Sequence, residues 1–218
     1  MCNAYPRAGP NKEKIRHKFS DISNEEMLLL QRVTATKISQ MCRVYEKEYV
    51  LSDLISILKH RSTDEQDQIR VLATESFKEV SKILNRDENK TFIMPLIIQA
   101  AEDKSWRVRL CLSKNFTEIA TNFGKEVTDM SLIQTFSNLL KDSEVDVKIE
   151  AVKSLSNFVK TVSPERISYL LPQVTLLGKD PLGIVRGTFS FTQPTSEAFS
   201  RTCFNPFTRI KPIRTSNL

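Results

Sequence analysis

An all-α solenoid of stacked helix pairs is the fold class this sequence predicts, and three observations predict it. Glycine is rare, at 5 of 218 residues, while Leu, Ile, Lys and Glu are abundant, a composition that favours helices over tight turns and strands. The chain repeats itself: Asp64, Asp103, Asp142 and Asp180 recur at intervals of 39, 39 and 38 residues. Around each Asp the apolar residues keep helical rather than strand spacing.

The repeat unit can be justified piece by piece. Before each Asp stand the apolar pairs Leu54/Leu58, Ile93/Ile97, Leu132/Phe136 and Leu170/Val174. An i, i+4 pair of this kind marks one face of a helix. Five residues after each Asp comes Ile69, Val108, Val147 or Val185, and one position further a base: Arg70, Arg109, Lys148 or Arg186. Pro95 and Pro172 also keep the register, and an internal proline, which removes a backbone hydrogen bond, predicts a bend in those first helices. A weaker copy precedes these, with Glu26 and Arg32 in the Asp and Arg places.

Each unit is therefore a helix, a short turn and a second helix. The predicted pairs are 11–22 with 27–44, 48–60 with 65–84, 89–101 with 105–122, and 128–141 with 144–161. A fifth first helix spans about 164–177. One such hairpin cannot bury both of its faces, so neighbours must share a core. These are HEAT-type repeats, about four and a half of them. The expected organisation is an N-terminal segment at 1–10, a solenoid over 11–186 and an irregular, basic, Phe-rich tail over 187–218.

The repeated acids and bases predict a structural brace: Asp64, Arg70, Asp103, Arg109, Asp142, Lys148, Asp180 and Arg186. An Asp at the turn can cap the second helix, where the dipole also favours negative charge. The base one turn later can pair with it or with the next repeat. Four equivalent copies fit a brace better than a single active site.

Charge and composition exclude several function classes. The formal net charge is +6, of which the first 20 residues carry +4 and the last 32 carry +3, leaving −1 for the body between. A nucleic-acid footprint would mass basic residues on one face of that body. No apolar run approaches the ~20 residues of a membrane span, and the N-terminus has no apolar signal core, so an intracellular, cytoplasmic protein with nuclear access is expected. Cys2, Cys42, Cys111 and Cys203 form no C-x-x-C pair and lie far from His17 and His60. Reduced thiols are expected, with no metal and no cofactor. The sequons at Asn89 and Asn115 are expected to be chance matches. There is no Gly-rich phosphate loop, no H-E-x-x-H and no G-x-S-x-G, so no catalytic residue is assigned.

The only tryptophan, Trp106, lies in "AAEDKSWRVRLCLSKNF". On a helical wheel, Val108, Leu112, Phe116 and Ile119 share roughly 80° of arc, and Trp106 points about 120° from their centre. An aromatic off the core face, flanked by Lys104 and Arg107 at the start of a second helix, is a candidate binding anchor. It can equally pack on an adjacent turn and brace the ridge.

Three stretches resemble the scaffold, or A, subunit of type 2A serine/threonine protein phosphatase: "DEQDQIRVLATESF", "MPLIIQAAEDKSWRVR" and "FTEIATNFGKEVT…LIQTFSNLLKDSEVDVK". The resemblance runs from about residue 5 to about 186 and covers only part of a full family member. It implies a non-catalytic scaffold that holds an exchangeable regulatory, B-type subunit on its intra-repeat turns. The catalytic subunit would be bound only indirectly, since the family's C-terminal repeats are not among those matched. The implied partner-facing residues are Trp106 and Arg107 with Asp64 and Glu65, and less directly Arg32, Leu28 and Leu29. No membrane or nucleic-acid partner is expected.

After Arg186 the repeat register stops, in a stretch with Pro194, Pro206, Pro212 and five Phe. An irregular tail there would leave Leu170, Leu171, Val174 and Leu177 exposed, at up to about 1.5–3 kcal/mol each. The residues leave open a nuclear-transport-type HEAT carrier, a nucleic-acid-associated solenoid, and a truncated fragment without function.

Overall fold

The computed structural model describes residues 10–25 and 27–191. They form helices in antiparallel pairs, and no strand occurs among the described residues. The first pair is α1 (Pro10–Ser23) and α2 (Leu28–Val44). In the second, α3 (Lys47–Tyr49) runs through one π turn (Val50–Leu54) into α4 (Ile55–Ser62), opposite α5 (Asp67–Ile83). The third pair repeats this plan. Its first helix is α6 (Arg86–Glu88), a π turn (Asn89–Ile93) and α7 (Met94–Ala101), and its second is α8 (Trp106–Phe123). The fourth has α9 (Lys125–Val127), a π turn (Thr128–Leu132) and α10 (Ile133–Leu140), opposite α11 (Val145–Val159). The fifth has a 3₁₀ stretch (Pro164–Leu170), α12 (Leu171–Leu177) and α13 (Gly183–Phe191).

Second helices stack on second helices: α2 on α5, α5 on α8, α8 on α11 and α11 on α13. The shared core is one continuous cluster from Ile38 to Phe189. At its centre three rings from α8, α10 and α11 meet. Phe136 stacks on Phe158 with ring centroids 3.9 Å apart, and Phe116 lies 5.4 Å from Phe136 and 5.6 Å from Phe158.

Two expectations are corrected here. The predicted irregular region begins too early, because residues 187–191 continue α13, which packs on α11 and α12 and buries Val185 and Phe189. The fifth first helix therefore has its partner: Leu170, Val174 and Leu177 are buried and Leu171 is half-buried. Neither Gly183 nor Gly187 has the positive φ that would end a helix there. The rest of the predicted tail, 192–218, and the segment 1–9 lie outside the described residues.

The prolines are not the cause of the bends. Pro95 and Pro172 each occupy the first turn of the α segment that follows a π or 3₁₀ stretch, where a missing N–H costs least. The second and fourth pairs carry the same π turn with Ser56 and Gln134 in the proline's place. The bend belongs to the repeat.

Candidate partner-binding ridge

Each intra-repeat turn is built on its aspartate. Asp64, Asp103, Asp142 and Asp180 accept, through Oδ1, the N–H two residues on, from Gln66, Ser105, Glu144 and Leu182, at 2.7–2.9 Å. This is an Asx turn. It corrects the expected cap: Gln66, Ser105 and Glu144 stand just before their helices, and the carboxylates do not reach the N–H groups inside the first turn.

The bases reach forward, from one repeat to the next. Arg70 forks onto Asp103, with Nε to Oδ2 at 2.7 Å and Nη2 to Oδ1 at 2.8 Å. Arg109 forks onto Asp142 at 2.7 and 3.0 Å, and Lys148 meets Asp180 at 2.9 Å. The third guanidinium nitrogen faces back into its own turn. Arg70 Nη1 donates to the carbonyls of Asp64 and Glu65, Arg109 Nη1 to that of Asp103, and Arg186 Nη1 to those of Asp180 and Pro181. A planar fork suits this double duty, which an ammonium performs only in part.

These rungs are mostly buried, so their electrostatics are strong. Burial raises the pKa of Asp103, but hydrogen bonds from Arg70 and from the Ser105 N–H outweigh it, and the carboxyl ends below its ordinary value. Asp180 behaves alike, with burial opposed by Lys148 and the Leu182 N–H. The hydrogen bonds that Arg70 and Arg109 donate to Asp103 and Asp142 raise the pKa of each arginine in turn. Six of the eight predicted brace residues thus form three rungs, while Arg186 meets the carbonyls of its own turn.

The first rung departs from the pattern. By register Arg32 should take Asp64, yet Arg61, only 1% exposed, takes it at 3.4 Å and also donates to the carbonyl of Ser23. Asp64, expected to face a partner, is half-buried, with its carboxylate bonded to Arg61 and to the Gln66 N–H.

Above the ladder lies the ridge of turns. Lys104 and Arg107 are exposed, while Trp106 is half-buried against the margin of the core. The Arg107 guanidinium sits 5.1 Å from the Trp106 ring centre and 3.4 Å from Asp67. Asp67 also accepts from Ser105 Oγ at 2.9 Å, and that bond, followed by Arg107, lowers its pKa. The Trp–Arg pair is thus stapled to the preceding repeat while its outer surface stays in solvent. A cleft of about 490 Å³ between the two turns is lined by Glu65, Asp67, Lys104 and Ser105. A second, of about 380 Å³, places Leu28 and His60 beside Asp64 and Glu65. Leu29 and Arg32 stand apart from the ridge, in a cleft between α2 and α5. Sequence reasoning missed Arg61, Asp67 and Ser105. The imperfect first copy, with Glu26 in the aspartate's place, was the available sign that the rung beside it would be made differently.

Among the described residues no group of three or more His, Cys, Asp or Glu could hold a metal, and no helix is long and apolar enough to cross a membrane. Cys42 and Cys111 are free thiols, pushed up to about 12 by burial. Asn89 is fully buried, its amide donating to the carbonyls of Ser81 and Leu84, so its sequon is closed to modification.

A stack of helix pairs, laddered by buried ion pairs and offering its polar chemistry on turns, is an all-α repeat solenoid. Residues 125–187 match the family described as PPP2R1A-like HEAT repeat, and residues 93–123 match the HEAT repeat family. The chain is homologous, over about half its length, to the A-type regulatory subunits of protein phosphatase 2A. It is 25% identical over 126 residues (56% of this chain, 21% of the relative) to the A-type PP2A regulatory subunit of Schizosaccharomyces pombe. It is 31% identical over 93 residues (42% and 16%) to a probable PP2A regulatory subunit of Caenorhabditis elegans. It is 35% identical over 123 residues (55% and 20%) to the beta isoform of the 65 kDa A-type regulatory subunit of Homo sapiens. The chain thus spans about a fifth of the length of these relatives. The names of all three are those of regulatory subunits.

Among solved structures, Cex1p superposes with a TM-score of 0.74 at 14% identity, over 88% of this chain and 36% of that one. A designed armadillo repeat protein, solved with the peptide (KR)4, gives 0.56 at 14% identity, over 88% and 93%. These likenesses show the fold alone.

Proposed function

We propose that the chain is a non-catalytic scaffold of a type 2A-like serine/threonine protein phosphatase and holds a regulatory, B-type subunit on its ridge of turns. The observation that supports this best is the third turn. There exposed Lys104 and Arg107 flank a half-buried indole, and Asp67 of the preceding repeat holds both the Arg107 guanidinium and Ser105 Oγ. Pre-fixed aromatic and guanidinium groups lose little entropy on binding, which is what interface anchors require. Glu65 across the cleft supplies the opposite charge, so the ridge presents both signs within one repeat spacing. The cytoplasm, with nuclear access, is part of the same proposal.

The test is capture of purified regulatory subunits on the immobilised full chain, beside Trp106→Ala and Lys104→Glu. Recovery of a regulatory subunit, weakened about tenfold or more by either substitution, is the expected result. Folded protein that recovers no regulatory subunit would remove the scaffold function. Recovery indifferent to both substitutions would remove the ridge as its site.

A further inference from the structure

The first rung of the ladder leaves a cation over. Arg32 stands 38 residues before Arg70, in the position from which Arg70, Arg109 and Lys148 each reach the aspartate of the next turn. Arg61 has taken that aspartate from below. Arg32 is consequently exposed and makes no ion pair among the described residues. It lines a cleft of about 400 Å³ with Leu29, Val33, Thr36 and Lys37 of α2 and Leu72 of α5. Leu29 is 64% exposed and Val33 45%. Lys37 donates to Gln40 Oε1 at 2.9 Å and engages no carboxylate among the described residues.

Three features define what this cleft fits. Its floor is apolar, its two charged groups are both cations, and no acidic side chain lines it. Leu29, Val33 and Thr36/Lys37 follow i, i+4, i+7/i+8 along α2, a stripe along one helix face. The stripe is recessed against α5 rather than raised, which suits the ridge of a packed helix better than a flat surface.

We propose that the α2–α5 cleft is a docking groove for an acidic amphipathic helix of a partner protein, whose apolar side chains seat against Leu29, Val33 and Leu72 while its carboxylates pair with Arg32 and Lys37. The groove is distinct from the turn ridge and does not depend on the phosphatase proposal. Burial of the two exposed apolar side chains supplies the affinity, and the cation pair selects the sign of the partner.

The test is fluorescence anisotropy of the full chain with a dye-labelled helical peptide carrying Leu at i, i+3, i+4 and i+7 and Glu elsewhere. A companion peptide carries Lys for Glu. The expected result is saturable binding of the acidic peptide, reduced about tenfold or more by Arg32→Glu and by Leu29→Ser. Lys114→Glu, an exposed charge reversal on α8, should leave it unchanged. Both groove residues are exposed, so an unchanged helical circular dichroism spectrum should accompany the loss. The proposal is overturned by absent saturation, by equal binding of the basic peptide, or by a loss with Lys114→Glu as large as with Arg32→Glu. It is also overturned if Arg32-dependent binding appears only with anionic phospholipid vesicles. The probe reads α2, whereas capture of regulatory subunits reads the turns, so either result can fail while the other stands.

Discussion

At the scale of the residue, the ladder converts repeated acids and bases into buried bonds. Asp103 is the clearest case, held by both nitrogens of the Arg70 fork and by a backbone N–H. Asp103→Ala should lower the free energy of unfolding by about 3 kcal/mol, because it strands a buried guanidinium. Glu65→Ala, an exposed change on the same ridge, should stay within about 0.5 kcal/mol. The deficit should also depend on pH. A carboxyl held below its unfolded value, about 3.9, contributes stability that is present at neutral pH and lost as pH falls through the folded value. Urea midpoints should therefore separate Asp103→Ala from the parent near neutrality and converge in strong acid. The sequence carried the register of the three later rungs, since each of their Asp residues and bases was visible. It did not carry the direction of pairing. An Asp six residues before an Arg pairs within its own turn as plausibly as across to the next, and only the stacking distance decides.

At the scale of the element, helix positions were legible because apolar spacing is local, and the predicted spans fall within a few residues of those observed. The π turns were not legible. They widen the first helix of three repeats at Val50–Leu54, Asn89–Ile93 and Thr128–Leu132, and no residue type is common to the three. Buried polar side chains nearby lock the connection between repeats: Asn89 donates to two carbonyls at the end of α5, and Thr128 Oγ1 to those of Ala120 and Gly124. Gly124 makes the sharpest of these links, at φ +81° and ψ 164°, with the Arg86 side chain 2.9 Å from where a Cβ would stand. That backbone region is essentially reserved for glycine. Gly124→Ala should cost about 1–3 kcal/mol and lower the thermal midpoint without changing the helical content of the folded state.

At the scale of the whole molecule, stability is a sum over neighbours. The helix α8 lies between α5 and α11, whereas α13 packs on α11 and α12. Amides of α8 should therefore be the slowest to exchange with deuterium, and those of α13 should exchange faster by well over tenfold under native conditions. Equal protection across the stack would show instead that it opens as one unit. The candidate site was only half legible at this scale. Trp106, Arg107 and Lys104 could be placed on the ridge from the wheel and the turn. Asp64 and Arg32 could not, because their roles depend on Arg61, a buried cation that the repeat pattern does not mark.

The offset of the rungs bears on how such a chain can change its length. Arg70 to Asp103 and Arg109 to Asp142 each span 33 residues, and Lys148 to Asp180 spans 32. Each of these three bases looks to the following copy. A duplication or loss of one whole unit, such as excision of residues 103–141, would bring Arg70 against Asp142 and leave no charge stranded. A cut between rungs that is not a whole number of repeats would strand one. Inheritance can thus lengthen or shorten this solenoid in steps of one repeat while the grammar of its rungs stays intact.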